Sequence, residues 1–195
     1  MTNMAIRSCL LMLLLLVSAC AISPTGTQQQ QRAQIDGMAH STLNDMYAHY
    51  PETRAMVQKA AAYAVFDASG GKIIFGGMDH GNGVVFAKHQ TPFYMKMFEL
   101  QPGFGVGYTN FRLIFIFDSQ DAVNSFTTSG WEFGTRLSTA AKDKKQGGAF
   151  DLGYTAAPGI TVYQITEKGI MVGISITGAK YWPNDDLNAK GNPVN

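Results

Sequence analysis

The sequence predicts a β-rich α+β domain, an antiparallel sandwich or barrel-like sheet with helices at its N-terminal end. Three observations carry this. Apolar residues recur at spacings of three and four between Ile35 and Tyr50, the period of a helix with one buried face. Beyond Tyr63 the chain breaks into short apolar runs divided by glycines and turn residues, the mark of many short strands. Near the end, Ile170, Val172, Ile174 and Ile176 alternate with Met171, Gly173, Ser175 and Thr177, a period of two.

The chain opens with a different kind of segment. Met1 to Arg7 is a short head with one positive charge, Leu10 to Val17 is an unbroken apolar run, and Ser18-Ala19 are small. This is the order of an export signal. The run falls short of the ~20 apolar residues that a bilayer crossing needs. Leu16-Val17-Ser18-Ala19-Cys20 resembles the bacterial lipobox. The resemblance implies an acylated Cys20, cleavage just before it and firm anchoring, since two or more acyl chains hold a membrane well. Ala21 stands where an aspartate resembles an inner-membrane retention mark in enteric bacteria, so the expectation is the outer membrane with a periplasmic domain. Cys9 leaves with the signal. The mature chain then has neither a free thiol nor a disulfide, which excludes a cysteine nucleophile and a cysteine-based zinc site.

The expected organisation is a signal peptide over 1–19, a lipidated flexible tether over 20–34 and one domain over 35–195. The tether reading rests on Ser23-Pro24-Thr25-Gly26-Thr27 and the glutamine run Gln28 to Gln31, which have little to bury. About 175 mature residues suffice for one core. The formal charge is +1, from 15 basic and 14 acidic residues. Cleavage removes only Arg7, so the mature chain is neutral and no global attraction to nucleic acid is expected.

Within the domain, Leu43, Met46, Tyr47 and Tyr50 mark the inner face of the first helix. Pro51 ends it or opens a second, Glu52 to Ala62, whose inner stripe is Met56, Val57, Ala60 and Ala61. Tyr63 to Phe66, Ile73 to Phe75, Val84 to Ala87 and Phe93 to Phe98 follow as short strands. Gly103 to Tyr108 alternates glycine with larger residues and reads as a strand with a bare glycine face. Leu113 to Phe117 is apolar on both faces, Ser119 caps a helix to Phe126, and Trp131 to Thr139, Ala149 to Thr155 and Ile160 to Thr166 continue the strands.

These motifs together resemble the SYLF domain family. The residues concerned are Ala62-Tyr63-Ala64-Val65-Phe66, Gly76-Gly77, Gly81-Asn82-Gly83-Val84-Val85, the glycines 103, 105 and 107, and the block Lys168 to Gly178. The resemblance covers about residues 55 to 182. It implies a lipid-binding module without catalytic residues. Eukaryotic members are lipid-binding modules, some of which bind phosphoinositides, yeast-type members also regulate or bind actin, and bacterial members are typically exported, often as lipoproteins. Asp67 stands where the family usually has proline, and Lys142 to Gly148 replaces a loop usually richer in glycine and proline, so neither phosphoinositide nor actin is carried over.

No catalytic or cofactor motif is found: there is no Gly-x-Ser-x-Gly elbow and no phosphate loop ending in Gly-Lys-Ser/Thr. Asp79-His80 with His89 across a hairpin is a weak metal or acid–base candidate, for which loop polarity is the plainer reading. Asp185-Asp186 reads as the start of a terminal turn, not a calcium ladder. No catalytic residue, metal ligand or cofactor is therefore expected. The expected headgroup contacts are Lys142, Lys144 and Lys145, with Arg136 nearby, each contributing on the order of 1 kcal/mol at an anionic surface. Among the aromatics Phe93, Tyr94, Phe104, Tyr108, Trp131, Tyr181 and Trp182, the pair Tyr181-Trp182 is expected to be exposed as an interfacial anchor. The leading expectation is non-catalytic binding of membrane lipid, with the lysines adding affinity for anionic lipid. The alternative is a structural or assembly protein that binds an envelope protein partner through adaptable surfaces such as Met95, Met97 and Met171.

Overall fold

A computed structural model describes residues 26–128, 131–132, 154–166, 169–171 and 178–188. Helix α1 spans Gln28–His49. It starts seven residues before the expected Ile35, because Thr27 and Gln30 form a reciprocal capping box that satisfies the first backbone donors. The glutamine run expected to be tether is thus the first turn of the helix. That turn is docked as well as capped. Arg32 Nε donates to the carbonyl of Leu187 at 2.8 Å, and its guanidinium sits 5.9 Å from the Tyr94 ring centroid. The helix stops at Tyr50, whose backbone is pushed out of the helical region by the following Pro51. Helix α2, Thr53–Lys59, is shorter than expected; Val57 and Ala60 are buried while Met56 and Ala61 are half-buried.

Two long strands follow, β1 (Ala62–Ile73) and β2 (Gly76–Ala87), paired residue for residue from Ala62 with Ala87 to Ile73 with Gly76. The glycines read as breaks between short strands lie inside them. Close approach of the two strands is the reason. A Cβ on Gly81 would overlap the Asp67 carbonyl, and one on Gly83 would overlap the Phe66 ring. β3 is Phe93–Pro102, β4 is Gly107–Phe117, and helix α3 is Gln120–Thr128, where Ser119 Oγ accepts from Ala122 N at 3.2 Å as its cap. The remaining strands are β5 (Trp131–Glu132), β6 (Tyr154–Ala157), β7 (Ile160–Thr166), β8 (Gly169–Met171) and β9 (Ala179–Pro183). The rest of the expected 131–139, 149–155 and 170–177 strands lies outside the described residues.

All pairings are antiparallel, in the order β5-β9-β3-β2-β1-β4-β7-β6, with β8 also on β7. The protein is β-rich α+β as expected, and of the two forms considered it takes the single curled sheet rather than a two-sheet sandwich. Strand alternation sorts side chains into two cores. On one face Phe66, Phe115 and Tyr181 meet edge-on at 5.0–5.6 Å, and Phe126 of α3 packs 5.1 Å from Phe115. On the other, Val65, Val84, Ile114, Ile116 and Tyr163 pack beneath α1 and α2. This is why Leu113 to Phe117 is apolar at every position: its odd residues serve one core and its even residues the other.

Candidate functional site

The two cores fill the end of the sheet that holds the helices. The opposite end carries large apolar side chains in water. Ile73, Ile74, Phe75, Met78, Leu100, Phe104, Val106 and Tyr108 are all exposed, with Phe75 at 76%, Phe104 at 81% and Val106 at 82%. Ile74, Phe75, Phe104 and Val106 come from two adjacent turns, Ile74-Phe75 between β1 and β2 and Gly103 to Val106 between β3 and β4, and Ile73, Met78, Leu100 and Tyr108 come from the strand ends beside them. Contiguous exposed apolar surface of this kind marks an interaction site rather than ordinary surface scatter.

Local sequence explains the shape of this tip. Gly103 has φ +114°, a conformation that L side chains rarely adopt, and it turns the chain where a continuing strand was expected. The alternation still matters, because Phe104, Val106 and Tyr108 all remain exposed. Gly105 N donates to the Ile74 carbonyl at 3.1 Å, joining the two turns. Across that joint the Phe75 and Phe104 rings meet at 5.2 Å and 64°, an edge-to-face pair. Lys72 lies along the Gly103–Gly105 backbone, its Cδ filling the space that a side chain on Gly105 would take.

Ile74 adds a second sign. Its φ is +47°, and for a β-branched residue that is strained by ~1–2 kcal/mol. Asn-Gly or Asp-Gly would relieve this in a two-residue hairpin turn. The chain instead places two large apolar side chains in this two-residue turn. Strained residues of this kind cluster at functional positions.

Beneath the tip lies a polar layer on the α3 face of the sheet. Asp79 of β2 is fully buried and accepts hydrogen bonds from the Gln101 amide and the Thr109 hydroxyl. Those two donors flank the Gly103–Val106 turn, so a single carboxylate ties both of its ends. Gly70 opposite leaves room for that carboxylate; a Cβ there would overlap it. Glu99 of β3 is the direct cross-strand partner of Asp79 and is buried too. Burial first, and the Asp79 charge second, push Glu99 up to about 7 from 4.5. Tyr181 is likewise pushed well above its ordinary value, by burial and then by Glu99.

The sequence-predicted candidates fare differently. Cys20, Arg136, Lys142, Lys144 and Lys145 lie outside the described residues. Tyr181 is a correction: it is completely buried between Phe66, Phe115 and Phe126, because its odd position on β9 faces the inner core. Trp182, one residue on, faces the other way and is half-buried. Phe93 and Tyr94 are core, whereas Phe104 and Tyr108 are exposed at the tip. The structure does not bring Asp79, His80 and His89 together, and Asp79 is a buried strand residue rather than the loop polarity expected of it. Asp79 and His80 point to opposite faces of β2, and His89 sits in the turn beyond that strand's far end. Among the described residues no group of three or more His, Cys, Asp or Glu is placed to hold a metal, and no helix is long and apolar enough to cross a membrane. Asp185 and Asp186 do begin a terminal turn, where Leu187 N and Asn188 N both donate to the Asn184 carbonyl at 3.0 Å. Sequence reasoning missed the tip. Its one available signal was Ile73-Ile74-Phe75 running into Gly76-Gly77 with no polar turn residue.

Two comparisons bear on this arrangement. The family model Ysc84, described as Las17-binding protein actin regulator, matches residues 98–191, which include Glu99, Gln101, the Gly103–Val106 turn and β4. Beta cell expansion factor A from Aeromonas veronii is 30% identical over 162 residues, 83% of this chain and 60% of that protein. The chain thus spans about three-fifths of the length of this curated relative. The family match and the ordered glycine and strand motifs agree: residues 98–191 of this chain match the Ysc84, or SYLF, family.

Proposed function

We propose that this protein is a non-catalytic, lipid-surface-binding lipoprotein of the bacterial cell envelope, anchored through Cys20 and engaging a bilayer with the apolar tip of its sheet. The observation that carries the reading is the exposed Phe75–Phe104 pair with its neighbours Ile73, Ile74, Val106 and Tyr108. Aromatic and aliphatic side chains of this size gain free energy at the headgroup and acyl boundary, where Tyr sits well with one polar end in water. Lys72 beside the turns places a cation where phosphate groups would lie. Lys142, Lys144 and Lys145 would add an electrostatic component on anionic lipid. The lipobox residues support outer-membrane anchoring with the domain in the periplasm.

The test is sedimentation of the full chain, made without the acyl group on Cys20, with vesicles first of neutral and then of anionic lipid. Binding to neutral lipid that a Phe75→Ser, Phe104→Ser double substitution abolishes supports the tip. Extra affinity for anionic lipid that is lost in a Lys142, Lys144, Lys145 triple alanine supports the lysine loop. Absence of binding to either lipid refutes the reading and favours a protein partner for the same apolar surface, which cross-linking in cells would reveal as one dominant adduct.

A further inference from the structure

Lipid binding as proposed above leaves the Asp79–Glu99 pair unused. Two carboxyl groups directly opposite each other on adjacent strands are unfavourable wherever both are ionised. Here they are also buried. Their position along the sheet matters. Glu99 precedes the Gly103 turn by four residues and Asp79 follows Phe75 by four. At ~3.3 Å per residue both lie on the order of 10 Å behind the tip. An amphipathic surface sinks ~5–10 Å into the headgroup and acyl boundary. A tip seated to that depth brings the carboxyl pair to the edge of the low-dielectric region, which disfavours the charged form further.

We propose that Glu99 couples lipid binding to proton uptake, so that the tip seats on a bilayer surface with Glu99 neutral while Asp79 keeps its hydrogen bonds from Gln101 and Thr109. The inference rests on the lipid-surface reading and names the regulation of that site. Among the described residues the titratable groups facing Glu99 are Asp79 from β2 and Tyr181 from β9. β4 contributes the neutral Thr109 to this layer, and Lys72 of β1, on the same face, lies along the Gly103–Gly105 turn. The free protein already holds Glu99 up at about 7, so proton uptake begins near neutral pH. By linkage, a surface that binds only the neutral form loses affinity by up to about tenfold per pH unit above that value.

The experiment measures affinity of the full chain, made without the acyl group on Cys20, for vesicles of neutral phosphatidylcholine from pH 5.5 to pH 9, which removes both the anchor and any lysine attraction. The expected profile is flat at the acid end and falls by about tenfold per pH unit above about pH 7. Glu99→Gln should hold the acid-end affinity at every pH. Asp79→Asn, which removes the neighbouring charge, should move the fall to lower pH and serves as the second variant if Glu99→Gln does not fold. With the unsubstituted protein, adding vesicles in weakly buffered solution at pH 7.5 should take up about three-quarters of a proton per bound chain, since about a quarter of free chains already carry it. Strong binding with a flat profile and no proton uptake would overturn the coupling and leave the lipid reading intact. Retention of the slope in Glu99→Gln would overturn it as well. No binding at any pH would overturn the lipid reading and the coupling with it.

Discussion

Replacing Phe75 and Phe104 by serine separates function from folding. In the free protein the two rings are 76% and 81% exposed, so the fold gains little from them beyond their contact with each other. That contact contributes ~0.5–1 kcal/mol, and its loss should lower the melting temperature by only about 2–4 °C. On a bilayer the same rings lose most of their remaining water. Burying a phenylalanine fully yields ~1.5–3 kcal/mol, and three-quarters of that for each of two rings is about 2–4 kcal/mol. The double variant should therefore bind vesicles ~30- to 1000-fold more weakly. Vesicle sedimentation gives the affinity, and thermal unfolding followed by circular dichroism gives the stability. If affinity falls less than threefold while the fold is intact, the tip is not the bilayer contact. If the protein unfolds, the rings belong to a core and their exposure has been misread.

Ile74→Gly should relieve the strain of φ +47° and raise stability by about 1 kcal/mol in urea denaturation, while weakening vesicle binding through loss of an apolar side chain. Glu99→Gln should alter the pH dependence of stability. Glu99 is held at about 7 against an ordinary 4.5, so between those values the folded protein binds more protons than the unfolded chain. Stability from this group is full below about pH 4.5, falls as pH rises to about 7 and is flat above. The unscreened loss is ~3 kcal/mol, lowered to about 1–2 kcal/mol by water at the end of the sheet. The glutamine variant should lose that slope and be the more stable protein at pH 8; an unchanged slope in denaturant titrations at pH 5 and pH 8 would contradict the assignment. Gly83→Ala should destabilise the fold by ~2 kcal/mol or more, because its methyl would meet the buried Phe66 ring, and Thr27→Ala should cost about 1 kcal/mol of helix stability, both readable by denaturant melts.

The fold class was legible because periodicity reports burial directly. Ile160 to Thr166 appears as a strand over the expected residues, and Ser119 caps its helix as expected. The first helix was cut short because Gln28 to Gln31 bear no apolar pattern; their order comes from a cap and from docking of the neighbouring Arg32, which hydropathy does not record. Glycines misled twice. Gly81 and Gly83 look like turn punctuation but serve close strand packing, whereas Gly103 and Gly105 look like strand alternation but make a turn. The same ambiguity hid the tip, since exposed Phe75 and Phe104 read as core residues when only their chemistry is known. Tyr181 was placed on the surface because it follows the last regular run, and only its register with Met97 puts it inside.

The docking of α1 has a consequence for the order in which the protein is completed. Arg32, near the start of the domain, bonds the carbonyl of Leu187 near its end, and Tyr94 N bonds the Asn188 side chain beside it. Two contacting partners some 155 positions apart close one of the longest loops the chain permits. Helix α1, made before every described strand, therefore has no finished berth until Leu187 and Asn188 have been made. Truncation just before Leu187 should be felt in α1, as fraying of a helix whose own residues are untouched.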